Sequence, residues 1–241
     1  MQITILSIIL FCSTFLGGLF SLKYKDKIHK IMGFTAGVLI GVVFFDIFPE
    51  IIKLINQNNF DTTGPMLAIT LGFLLFHILE KSILLNHNHD EEYKEHKHPH
   101  VGIASAIALS GHSFMDGIGI GLAFQINPSV GILVAIAVIA HDFTDGMNTV
   151  SLVLTNKNGV KSAVWFLFLD SITPVLGILS ASLFKLPEIF LVLYLGFFAG
   201  FLIYIGASDI LPEAHSKDSS YKTIMLTILG LFFIFVVTRF V

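Results

Sequence analysis

The chain has 241 residues, of which 54% are hydrophobic and 13% charged, including 24 Phe. Its mean hydropathy is +0.83. Soluble domains are about a quarter charged, so this composition excludes a soluble globular protein and predicts a polytopic membrane protein. Cys12 is the only cysteine, which excludes an intrachain disulfide and a cysteine metal site. The net charge of -3 gives no basic footprint for nucleic acid.

The N-terminus is apolar from its start, with no basic n-region, and reads as a first spanning helix rather than a signal peptide. Apolar runs long enough for a hydrocarbon core of about 30 Å predict eight spans, near 3–22, 31–52, 65–85, 101–124, 128–154, 161–184, 188–212 and 222–241. They form one transmembrane domain over residues 1–241. Span two, Gly33 to Glu50, and span seven, Gly196 to Glu213, both read G-F-x-A-G followed at equal spacing by D-I-x-P-E. The predicted fold is therefore all-α, eight transmembrane helices in a 3+2+3 inverted repeat, with the polar site at the repeat interface. In span three, His77 and Glu80 share a face. Residues 86–100 are rich in His, Asp and Glu, a composition that predicts a solvated loop with weak metal affinity.

The basic residues are unevenly placed. Lys23, Lys25, Lys27, Lys30, Lys81, Lys94, Lys97, Lys157, Lys161, Lys217 and Lys222 fall on one side; Lys53, Lys185 and Arg239 fall on the other. The positive-inside rule puts the larger group in the cytoplasm. Both termini are then outside and the His-rich loop is cytoplasmic. Asp46 and Glu50 come near the outer mouth, and Asp209, Glu213 and His215 near the inner one. Pro49 and Pro212 should free carbonyls at those helix ends, and Pro174 should kink span six next to Asp170.

Spans four and five carry HSFMDG, from His112, and HDFTDG, from His141. Residues three and four apart share a helix face. His112, Ser113 and Asp116 thus cluster on one helix, and His141, Asp142 and Asp145 on the other. The short link Gln125–Ser129 makes the helices an antiparallel hairpin, with both motifs about 20 Å from it. Ionisable groups near a bilayer midplane mark ion or proton paths, and His with carboxylate suits zinc and similar metals.

Together with SDILPEAH in span seven and the His-rich segment, these motifs make the chain resemble the ZIP family of divalent metal transporters. The resemblance implies uptake of zinc, iron or a similar ion into the cytoplasm through a site between spans four and five. It also implies a homodimer in the cell membrane, with one helix bundle moving against the other like an elevator. No cofactor and no enzymatic activity are implied. The chain departs from the family pattern H-N-x-P-[DE]-G at Ser113 and Met115. In span five, Thr144 stands where Pro is usual, and Asp142 and Asp145 where Glu is common; in span six, Thr173 stands where Glu often precedes Pro. With only Asp116, Asp142 and Asp145 at the centre, charge predicts one firmly held ion, and a weaker second that depends on Asp170. An intramembrane zinc hydrolase would need an open coordination position and a general base; the chain has no H-E-x-x-H. A metal-sensing or structural membrane protein is a third class, permitted by the His-rich segment alone.

Overall fold

The computed structural model describes residues 2–22, 28–88, 99–216 and 221–240. Every regular element among them is helical. They are α1 (Gln2–Ser21), α2 (Ile28–Val42), α3 (Phe48–Asn58), α4 (Thr63–Asn88), α5 (Pro99–Ile126), α6 (Pro128–Thr155), α7 (Val160–Ala181), α8 (Glu188–Ile203), α9 (Leu211–Ser216) and α10 (Tyr221–Val237). Two π-helical turns, Val43–Ile47 and Tyr204–Ile210, join α2 to α3 and α8 to α9 without a break. Five segments are long and apolar enough to cross a bilayer: Gln2–Ser21, Gly102–Ile126, Pro128–Leu154, Val160–Ala181 and Glu188–Ser216. Thr63–Ile78 and Tyr221–Val237 are shorter apolar helices. Large apolar side chains such as Ile8, Leu71, Trp165, Leu179 and Phe232 lie exposed on α1, α4, α7 and α10. An apolar surface this extensive is rare on a soluble monomer and suits contact with lipid tails. The chain is a polytopic membrane protein.

Helices α1, α5, α6 and α7 pack mainly on one another, while α10 packs on α2 and α4 on α8. The largest core lies between these groups, with Val38, Leu39 and Val42 of α2, Val134 and Val138 of α6, and Phe198 and Leu202 of α8. Close approach within the groups depends on glycine. A Cβ on Gly17 would strike the Phe143 carbonyl, and one on Gly177 the Phe114 carbonyl. Gly146 meets Thr14 in the same way, and Gly117 meets Pro174. In the other group, Gly37 lies on Thr227 and Gly200 on Ile69, while Gly72 lies on Phe197 and Gly230 on Phe34. These contacts use the same positions of repeated motifs. Phe114 and Phe143 occupy one motif position, and Phe34 and Phe197 another.

The helices meet their prolines in two ways. The ring of a proline clashes with the carbonyl four residues back and offers it no N–H. Ahead of Pro49 and Pro212 the chain responds by widening into the two π turns, which end at the equivalent residues Ile47 and Ile210. At Pro174, α7 stays α-helical. There the orphaned Asp170 carbonyl accepts a hydrogen bond from Thr173 Oγ1 at 2.9 Å, so it is not open to a ligand. Of the His-rich loop expected at 86–100, residues 86–88 belong to α4 and 99–100 to α5. Residues 89–98, with most of its histidines, lie outside the described residues.

Candidate metal centre

Helix α6 starts at Asn127, whose side-chain oxygen accepts from Val130 N at 2.9 Å, with Pro128 in the first turn. The tight link places α6 antiparallel to α5 and brings the two motifs face to face. His112 Nε2 lies 3.2 Å from Asp116 Oδ2 and 3.5 Å from Asp145 Oδ2. His141 Nε2 lies 3.3 Å from Asp116 Oδ2 and 3.7 Å from Asp145 Oδ2. One ligand atom from each of the four residues falls within 4.8 Å of every other. Ligands at about 2.0–2.2 Å from a tetrahedral zinc stand about 3.3–3.6 Å apart, so these edges fit an ion of that size.

Hydrogen bonding points the same way. His141 Nδ1 lies 3.1 Å from the Ala137 carbonyl. A carbonyl only accepts, so Nδ1 carries a proton there and Nε2 of a neutral ring presents a lone pair. With Nε2 also protonated the ring donates to Asp116 Oδ2 at 3.3 Å; with Nε2 bare its lone pair is free to ligate a cation there. Asp116 Oδ1, Asp142 Oδ1 and Asp145 Oδ2 are buried and make no hydrogen bond. Buried charges are normally paired or bound to metal, and a cation among His112, Asp116, His141 and Asp145 would compensate the carboxylates gathered there. His112 is the most open of the four, with 15% of its side chain exposed. Phe201 covers its ring at 4.8 Å between centroids and Phe76 at 6.2 Å, so α8 and α4 wall the centre from the opposing helix group.

The other sequence-selected residues lie around this group or away from it. Asp142 Oδ1 is 3.6 Å from His141 Nε2, while its Oδ2 accepts from Thr14 Oγ1 at 3.2 Å. Ser113 and Asp170 bond to each other at 2.8 Å. Asp46 is half-buried. Glu50 is buried; it is held by Lys53 at 3.1 Å and accepts from Asn127 Nδ2 at 3.1 Å. Glu213, which ends the second D-I-x-P-E segment, is exposed, as is Asp209. His215 is half-buried, with Nδ1 2.9 Å from the Leu211 carbonyl. His77 stacks on Phe73 and meets the edge of Tyr204. Sequence reasoning missed Thr14, Thr149 and Asn127; single hydroxyls and amides in apolar helices carry no spacing signal.

A family model described as "ZIP Zinc transporter" matches residues 81–238. The chain belongs to the ZIP zinc transporter family. The match includes both ZIP motif helices and the SDILPEAH segment. "Zinc transporter ZupT" of Streptococcus mutans is 28% identical over 237 residues, spanning 91% of this chain and 89% of that protein. The protein of the same name from Corynebacterium aurimucosum is 27% identical over 237 residues, with the same coverage of 91% and 89%. "Protein zntA" of Dictyostelium discoideum is 40% identical over 147 residues, 57% of this chain and 29% of that protein.

Proposed function

We propose that this protein carries divalent transition-metal ions, zinc foremost, across the cell membrane into the cytoplasm, through the centre formed by α5 and α6. Divalent metal transport follows from membership of the ZIP family and agrees with relatives named zinc transporters over most of the chain. The observation that carries the site is the buried His112, Asp116, His141 and Asp145 group, with zinc-sized spacing and unpartnered carboxylate oxygens. His112, Asp116, His141 and Asp145 bind the ion, with Asp142 adjacent. Its neutral imidazoles and anionic carboxylates select a dication over a monovalent ion of the same size, because a second positive charge gains more from the fixed carboxylates at low dielectric.

The paired glycine contacts support a 3+2+3 inverted repeat of eight transmembrane helices. The division into two helix groups with the centre between them supports movement of α1, α5, α6 and α7 against the rest. Asp46 and Glu50 at one mouth, and Asp209, Glu213 and His215 at the other, then pass the ion to and from the centre. Ser113 and Asp170 border a second, weaker position. Both termini are outside, residues 86–100 are cytoplasmic, and two copies form a dimer. The test is zinc uptake into proteoliposomes. Wild type accumulates zinc, and Asp116→Ala and Asp145→Ala do not. Uptake retained in both variants would exclude the centre.

A further inference from the structure

Asp170 is fully buried and belongs to neither motif. Its Oδ1 accepts from Ser113 Oγ on α5 at 2.8 Å, and its Oδ2 from Thr149 Oγ1 on α6 at 2.8 Å. Ser113 directly follows the ligand His112, and Thr149 stands one turn beyond the ligand Asp145. One carboxylate on α7 thus holds a hydroxyl from each ligand-bearing helix. Its own backbone is fixed as well, because Thr173 takes the carbonyl that Pro174 leaves free. Both of its oxygens are engaged, and it contributes nothing to the group of four ligand atoms.

We infer that Asp170 is a positioning residue: it sets the register of α5 against α6, and so the geometry of the metal centre, without ligating the transported ion. The inference rests on the assignment of His112, Asp116, His141 and Asp145 as the ligands. Hydroxyl bonds to a carboxylate are short and strong, and two of them on one side chain resist sliding of either helix. Four ligands from two helices keep a common centre only while that register holds. Partners one step behind the ligands typically alter metal affinity about 10–100-fold when lost. The arrangement also accounts for the chemistry of the three positions. Asn at 170 can accept from one hydroxyl and donate to the oxygen of the other, whereas Leu at 170 can do neither.

The test is zinc uptake by reconstituted full-length protein, with KM and maximal rate measured separately. Asp170→Leu should raise the KM for zinc about 10–100-fold, and Asp170→Asn should recover most of that loss. Ser113→Ala and Thr149→Val should each raise KM in part, and neither should add to Asp170→Leu, because all three act through one tie. Asp170→Asn as damaging as Asp170→Leu, with Ser113→Ala and Thr149→Val unchanged, would show that Asp170 acts by charge or as a ligand. Should Asp170→Leu fail to fold, the two hydroxyl variants still test the inference: wild-type KM in both refutes it. Asp116→Ala is measured alongside. Uptake surviving in that variant refutes the ligand assignment itself, which is a different failure.

Discussion

Gly117→Ala offers a test of packing in which two effects oppose each other. Intrinsic helix propensity favours Ala over Gly by about 1 kcal/mol. Packing opposes it. The new Cβ would press on the Pro174 carbonyl, 2.7 Å from its carbon and 2.9 Å from the Pro174 Cα, where carbon atoms rest about 3.5–4.0 Å apart. The carbonyl oxygen lies nearer still, so helices α5 and α7 would have to part by about 1 Å or more to reach ordinary contact. A movement of that size would take the 2.8 Å Ser113–Asp170 bond beyond hydrogen-bonding distance. Overpacking costs about 1–3 kcal/mol, and weakening a bond to a charged group adds to it. Gly111 on the same helix is the control, since a Cβ there meets nothing within 4 Å. Propensity is common to both substitutions and cancels in their difference. Gly117→Ala should therefore be less stable than Gly111→Ala by about 2–4 kcal/mol, measured by unfolding of the detergent-solubilised protein. Equal shifts in the two variants would refute the close packing of α5 on α7.

The remaining predictions concern transport and topology. Asp116→Ala and Asp145→Ala should elute and unfold like wild type, or be slightly more stable, because removing one of several clustered buried carboxylates relieves repulsion among them; bound zinc, counted after purification, should fall. Deleting His87 to His98 should slow uptake modestly, and complete loss with normal expression would place that segment on the ion path. With Cys12 replaced, a single cysteine at Asn58 should react with an impermeant reagent in intact cells and one at Asn88 should not; the reverse pattern overturns the topology. In Asp170→Asn protein lacking the His-rich segment, metal analysis should find one firmly held zinc per chain, and two equally tight ions would show the charge reasoning to be wrong.

The centre was legible in the sequence because a helix fixes which residues share a face. His112 with Asp116, and His141 with Asp145, follow from that spacing, and the short link sets their common depth. How each helix is turned towards a third was not legible. Asp142 and Asp170 look like further ligands by position, yet Asp142 gives one oxygen to Thr14 and Asp170 gives both of its oxygens to Ser113 and Thr149. Those partners lie far away in sequence. The π turns were hidden for a related reason. A proline predicts a missing hydrogen bond but not whether the chain widens, as before Pro49 and Pro212, or borrows a neighbouring hydroxyl, as at Pro174. The repeated G-F-x-A-G segments are visible in the sequence itself. That their glycines each rest on a carbonyl of another helix is visible only in three dimensions.

On the repeat proposed here, Glu50 and Glu213 are the same residue of two copies, met in two surroundings. Glu50 is buried, held by Lys53 and by Asn127 at the start of α6, while Glu213 is exposed to a larger degree. On that reading one chain holds a single repeated glutamate in two different environments, one buried and one exposed. Exchanging the two surroundings would make the second conformation out of contacts the first already contains. Neither conformation need be much the more stable, and an ion of modest differential affinity suffices to tip the balance. On that route the Asn127–Glu50 bond at the start of α6 would have to open.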